Sequence, residues 1–174
     1  MNTKHSSENG NPANSSLAEL KALLAEFDTA MLVTVTPEKL LRARPMAIQD
    51  GSEMPGCDLW FVTGEDTAKV DEVNREHQVC VCCYRASDRS YVSISASARS
   101  EKDKDAVRRL WKPSWKAWFP AGPDDPTITL LKLNVVRAEY WEPEGGRMRV
   151  LYEMVKAVLT GEPADANLNP PKHV

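Results

Sequence analysis

Histidine is scarce in this chain. His5, His77 and His173 are the only three in 174 residues, and two of them lie in polar terminal stretches. A histidine-based catalyst or a histidine-rich metal centre is therefore not expected. G-x-G-x-x-G, a Walker A loop, H-E-x-x-H and the nucleophile elbow are missing as well, so nothing points to dinucleotide-fold dehydrogenases, P-loop hydrolases, zinc proteases or serine hydrolases. No apolar run approaches the roughly 18 residues that a membrane span needs. The first sixteen residues are polar, rich in Asn and Ser, and carry no signal-peptide core, which makes a cytoplasmic location the expectation. Positive charge is not in surplus: 22 Lys and Arg face 25 Asp and Glu, a formal net charge of -3. A broad basic surface for nucleic acid is thus excluded.

What is present reads as one domain. Residues 1–15 and 162–174 have the polar, Pro/Asn/Ala-rich character of flexible tails, leaving a folded unit over 16–161. Ser16 and Glu19 form a capping box before an amphipathic helix that carries Leu20, Leu24 and Phe27 on one face. Alternating, β-rich segments follow over 31–36, 40–48, 58–63, 78–84, 91–100 and 127–141. Helical patterns fall at 67–76, 101–110 and 148–160. Meandering strands with interspersed helices predict a mainly β, α+β protein built on an antiparallel barrel. Between 111 and 126 runs an aromatic, proline-rich stretch. Its four aromatics, Trp111, Trp115, Trp118 and Phe119, exceed what one small core is expected to absorb, so some should meet a partner.

The four cysteines include a C-x-x-C at Cys80 and Cys83. That spacing suits zinc and redox sites. In a strand, however, residues three apart leave on opposite faces, so this pair should not converge on one metal. Buried thiols in a reducing compartment are expected instead, and no metal site.

Two stretches carry chemistry. On the second strand, Arg42, Arg44 and Met46 are spaced by two and share a face. Further on, Thr63-Gly-Glu-Asp-Thr-Ala-Lys69 reads as a strand end, a tight turn and a helix start. A helix start offers free N–H groups and partial positive charge to a phosphate, Thr67 adds a hydroxyl and Lys69 a full charge. If the second and third strands form a hairpin, Arg44 faces that turn and a monophosphate pocket results.

The order of these words resembles the FMN signature of the pyridoxamine-phosphate oxidase-like split barrels. Tyr91-Val-Ser-Ile-Ser, Ala117-Trp-Phe-Pro120, Gly122-Pro-Asp-Asp-Pro126 and Ala138-Glu-Tyr-Trp-Glu142 are similar to the general stress protein branch of that family. The resemblance spans about 17–161. It implies an antiparallel split β-barrel with flanking helices, and a homodimer holding FMN at the subunit interface. It also implies that Arg44, Thr67 and Lys69 bind the FMN phosphate, and that the backbone through Pro45 and Met46 runs along the flavin. Thr63 and Gly64 would sit near the cofactor. Ala68 stands where relatives often carry another arginine. Tyr91 and Trp118 would approach a flavin bound mainly by the other subunit, and Trp141 would lie near the ring.

Departures from the vitamin-converting oxidases bear on function. Gln49 stands where they place a lysine for the substrate phosphate, and Pro143-Glu-Gly-Gly-Arg-Met-Arg149 replaces their Arg-Leu-His-Asp-Arg. Oxidation of pyridoxamine phosphate is therefore not expected. A flavin-dependent oxidoreductase on an unknown small substrate, a non-catalytic flavin-binding stress protein, and a barrel for a deazaflavin or haem all remain open, and no catalytic residue is assigned.

Overall fold

Alternation governs the strands, and it decides which side chains meet. In the computed structural model, which describes residues 20–87 and 90–141, strand β1 (Thr29–Val35) buries Ala30, Leu32 and Thr34 and turns Thr29 and Met31 outward. Before it lies the described end of a helix, α1, over 20–24, whose Leu20 and Leu24 join the core. A tight turn, with Lys39 in the left-handed region at φ 65°, leads to β2 (Leu41–Ala47). Strands β3 (Leu59–Gly64), β4 (Gln78–Arg85), β5 (Ser90–Glu101) and β6 (Ile128–Trp141) complete the set, with helix α2 (Ala68–Arg75) before β4 and α3 (Lys104–Leu110) after β5.

All neighbouring strands pair antiparallel in the order β2-β1-β4-β5-β6-β3. The six strands curl into a half-barrel, so the fold is the mainly β split barrel that the sequence suggests. Its concave side holds Leu32, Phe61, Val81, Ile94, Leu131 and Leu133, closed by Val70 and Val73 of α2. A second apolar cluster lies beyond β3 and β6, where Trp60, Trp115, Phe119 and Leu130 pack with Ala106 and Val107 of α3. Residues 128–133 are buried on both faces because both clusters press on β6. No helix among the described residues is long and apolar enough to cross a membrane.

One expectation fails, and a second holds only in part. First, β2 and β3 do not form a hairpin; they are the two edges of the sheet, and β3 pairs with β6 from Leu59↔Leu133 to Gly64↔Ile128. Leu59, Trp60 and Phe61 are buried in succession and need cover on both sides, which the place beside β6 supplies and one beside β2 would not. Second, the aromatic segment is mostly absorbed by its own chain. Trp115 meets Trp60 and Trp111 edge to face, at 6.1 and 5.6 Å between centroids, and only Trp118 stands out, 82% exposed. The expected tails at 1–15 and 162–174, the capping box of Ser16 and Glu19, and the helix at 148–160 lie outside the described residues.

Candidate functional site

Arg42 and Arg44 leave β2 on the concave side, where β1 presents Thr34. Curling of the sheet lays α2 over this corner, and Glu72, 1% exposed, points into it. Both of its oxygens accept hydrogen bonds. Arg42 Nη1 donates to Oε1 at 2.8 Å, Arg44 Nη2 to Oε2 at 2.6 Å, and the Thr34 hydroxyl to Oε2 at 2.5 Å. Arg44 also donates through Nη1 to Thr34 Oγ1. Burial works to raise the Glu72 carboxyl, but the Thr34 and Arg44 hydrogen bonds and the two guanidinium charges outweigh it and hold it below the usual carboxylate range.

Lys69 lies one turn before Glu72 on the same helix face. It has no hydrogen-bond or ion-pair partner among the described residues. Burial, and next the Arg44 guanidinium, push its pKa below the ordinary lysine value, while Glu72 pulls the other way. Three cations thus surround one carboxylate, and the one left without a partner is partly desolvated. This corner carries an excess of positive charge that an anion would relieve.

Thr67 is the N-cap of α2 with extended backbone, yet its hydroxyl caps no amide; it donates to Gly64 O at 2.8 Å. The first-turn amides of α2 are left without a side-chain cap. Ala68 is exposed beside them and adds no charge. Gly64 ends β3, and a Cβ there would touch only Thr67 Cγ2 at 3.7 Å, so neither space nor backbone demands glycine. Thr63 is buried, with its hydroxyl directed to Gly64 O at 3.5 Å. On β2, Met46 is core and Pro45 is exposed.

The remaining sequence-predicted residues lie elsewhere. Tyr91 and Trp141 face each other across β5 and β6, on the convex side of the sheet. They line an open cleft of about 450 Å³ together with Met31, Cys82 and Tyr84, whose ring stacks on Tyr91 at 4.7 Å. Arg44 and Lys69 occupy the concave side, so the two sets do not line one cavity within a chain. Trp118 belongs to neither. Cys80 and Cys83 point to opposite faces, as strand geometry requires; burial pushes Cys83 up to about 12 and Cys82, with Cys80 beside it, up to about 11. Neither is a thiolate at neutral pH.

Sequence reasoning missed Thr34 and Glu72. A buried pair of arginines needs a counter-ion, and Glu72 follows Lys69 by one turn, but nothing local tells that α2 folds over β1 and β2.

A family model described as pyridoxamine 5'-phosphate oxidase like matches residues 15–165. The chain belongs to that family. Protein bli-3 of Neurospora crassa is 25% identical over 165 residues, covering 90% of this chain and 78% of the relative. The general stress FMN/FAD binding protein of Xanthomonas citri superposes with a TM-score of 0.63 at 28% identity, over 78% of this chain and 94% of that one. General stress protein 26 of Bacillus anthracis shares the fold, with a TM-score of 0.60 at 23% identity over 71% and 92% of the two chains.

In this pyridoxamine 5'-phosphate oxidase-like chain, Gln49 is buried and its amide is occupied. Nε2 donates to Ala47 O at 3.2 Å, and Oε1 accepts from Lys112 Nζ at 3.0 Å. A cation does stand at this position, delivered from the segment after α3 and held by the glutamine.

Proposed function

We propose that the chain is an FMN-binding protein of the general stress type, with the phosphate held by Arg44, Lys69 and Thr67 at the start of α2. The observation that carries this is the surplus of positive charge around Glu72, above all the partly desolvated Lys69, which has no partner among the described residues. A phosphomonoester dianion fits that corner by charge, and the uncapped amides of α2 add donors. The similarity to a general stress FMN/FAD binding protein supports a flavin in particular. Arg42, through Glu72, keeps Arg44 in place; Gly64 ends the strand before the helix start and Ala68 leaves that start uncrowded; Thr63 and Met46 support the strands from the core, and Pro45 lies outward along β2. When bound, FMN would supply the redox chemistry and the protein its binding and electrostatics.

The partner is a second copy of the chain. Tyr91 and Trp141 lie on the face opposite the phosphate corner, so they reach a flavin only if the other subunit presents it. The same convex face exposes Met31, Leu41 and Tyr84, and Trp118 stands free nearby in sequence to α3. Light scattering should give twice the chain mass with or without FMN; a monomer that binds FMN tightly would remove the shared site.

Activity as an oxidoreductase on a small substrate is the first role for such a protein. Non-catalytic flavin binding is the second. Absorbance and mass analysis of the protein as purified tests the cofactor. Flavin bands and release of FMN on denaturation are expected, and bleaching by NAD(P)H separates the two roles. Release of FAD, a deazaflavin or haem would overturn the assignment.

A further inference from the structure

The convex face carries a group of sulfur atoms with no part in the phosphate corner. Cys80 and Cys82 are two apart on β4, so their side chains leave the strand on the same side. Their Sγ atoms stand 3.6 Å apart, and both residues are half-buried. Ser93 Oγ approaches Cys80 Sγ at 3.8 Å. Met31 lies directly across from Cys82 in the β1/β4 register, and these two residues line the convex cleft together. Facing residues of antiparallel strands hold their Cβ atoms about 4.5–5.5 Å apart, within reach of a flexible thioether.

Two sulfurs on one metal, at bonds of about 2.3 Å and an angle of roughly 110–120°, lie about 3.8–4.0 Å apart. The thiol pair is already close to that separation, held there by the strand, so closing on an ion costs little ordering. Which ion is decided by number and softness. Zinc wants four ligands and calcium or magnesium more, and among the described residues no three His, Cys, Asp or Glu converge on one point. Monovalent copper is satisfied by few ligands and is selected by thiolate and thioether sulfur.

We propose that Cys80 and Cys82, with Met31 as a third sulfur, bind a monovalent copper ion on the convex face of the sheet. Binding exchanges two S–H bonds for two Cu–S bonds, sends two protons to solvent, and changes no oxidation state. All three ligands come from one chain, and Met31 and Cys82 share the cleft of Tyr91 and Trp141, so copper and a partner's flavin would compete for this face.

The test is an anaerobic titration of the reduced full-length chain with monovalent copper against a chromophoric copper chelator, read together with the near-ultraviolet copper–thiolate absorption. The wild-type chain should retain one copper ion. Cys80→Ser and Cys82→Ser should each weaken retention by more than the roughly 10- to 100-fold that follows loss of an outer-shell partner. Met31→Leu, which keeps the volume, should weaken it less, and Cys83→Ser, on the opposite face, should leave it unchanged. Thermal melts of the metal-free variants separate loss of a ligand from loss of fold. Wild-type copper retention in well-folded Cys80→Ser and Cys82→Ser, equal damage from Cys83→Ser, or no copper held by the wild type would overturn the proposal.

Discussion

Glu72→Ala should destabilise the protein by roughly 3–5 kcal/mol, the usual cost of breaking a buried ion pair by removing one partner. The Arg44 side chain is only 16% exposed and would be left facing Thr34 with its charge uncompensated, whereas Arg42, 52% exposed, can turn to water. Against a typical total of about 5–15 kcal/mol this is a large share. Urea unfolding is the measurement, with a lower midpoint at unchanged slope as the expected result. Glu72→Gln preserves volume and should lose less. It should also lose a specific acid sensitivity. The Glu72 carboxyl is held below its ordinary range in the folded state, so the unfolded chain binds the proton more readily. The stability it contributes is therefore complete above the unfolded pKa and disappears as pH falls through the folded one. An unfolding free energy for Glu72→Ala that stays within about 0.5 kcal/mol of wild type, the range of ordinary surface substitutions, would show that the cluster is incidental.

Lys69→Ala should weaken FMN binding while leaving riboflavin binding nearly unchanged, because only the former carries the phosphate. A charge-assisted hydrogen bond of this kind contributes about 1.5–3 kcal/mol, roughly ten- to a hundred-fold in affinity. The lysine has a second signature. Burial and the neighbouring Arg44 disfavour its charged form, so its removal relieves a small electrostatic cost in the ligand-free protein. Melting of apo Lys69→Ala should therefore occur at or above the wild-type temperature, while the stabilisation by added FMN shrinks. Calorimetric titration with both ligands checks the affinities. Equal losses for FMN and riboflavin, or an apo protein that melts well below wild type, would mean that Lys69 acts through folding and does not hold the phosphate.

The strands were legible from period-two alternation alone. Tyr91, Ser93 and Ser95 share a face as their spacing requires, and Arg42, Arg44 and Met46 do the same. The helix start at Thr67 was legible from its turn chemistry. These are local properties, set by the backbone geometry of a few residues. Strand order is not local. The run from Leu59 to Phe61 could have paired with either neighbour, and only the need to cover both of its faces sends it to β6 rather than β2. For the same reason the sequence overstates how much of the aromatic segment is left for a partner: the second cluster beside β3 and α3 has room for Trp115 and Phe119, while Trp118 stays exposed. Local pattern alone puts Arg42 and Arg44 on one face of a strand and Thr67 and Lys69 at a helix start, because alternation and turn chemistry are set within a few residues. How they meet depends on long-range contacts. They do so through sheet curvature that folds α2 over β1 and β2, and through Glu72, 28 residues from Arg44, which is buried because two guanidiniums and a hydroxyl compensate its lost hydration.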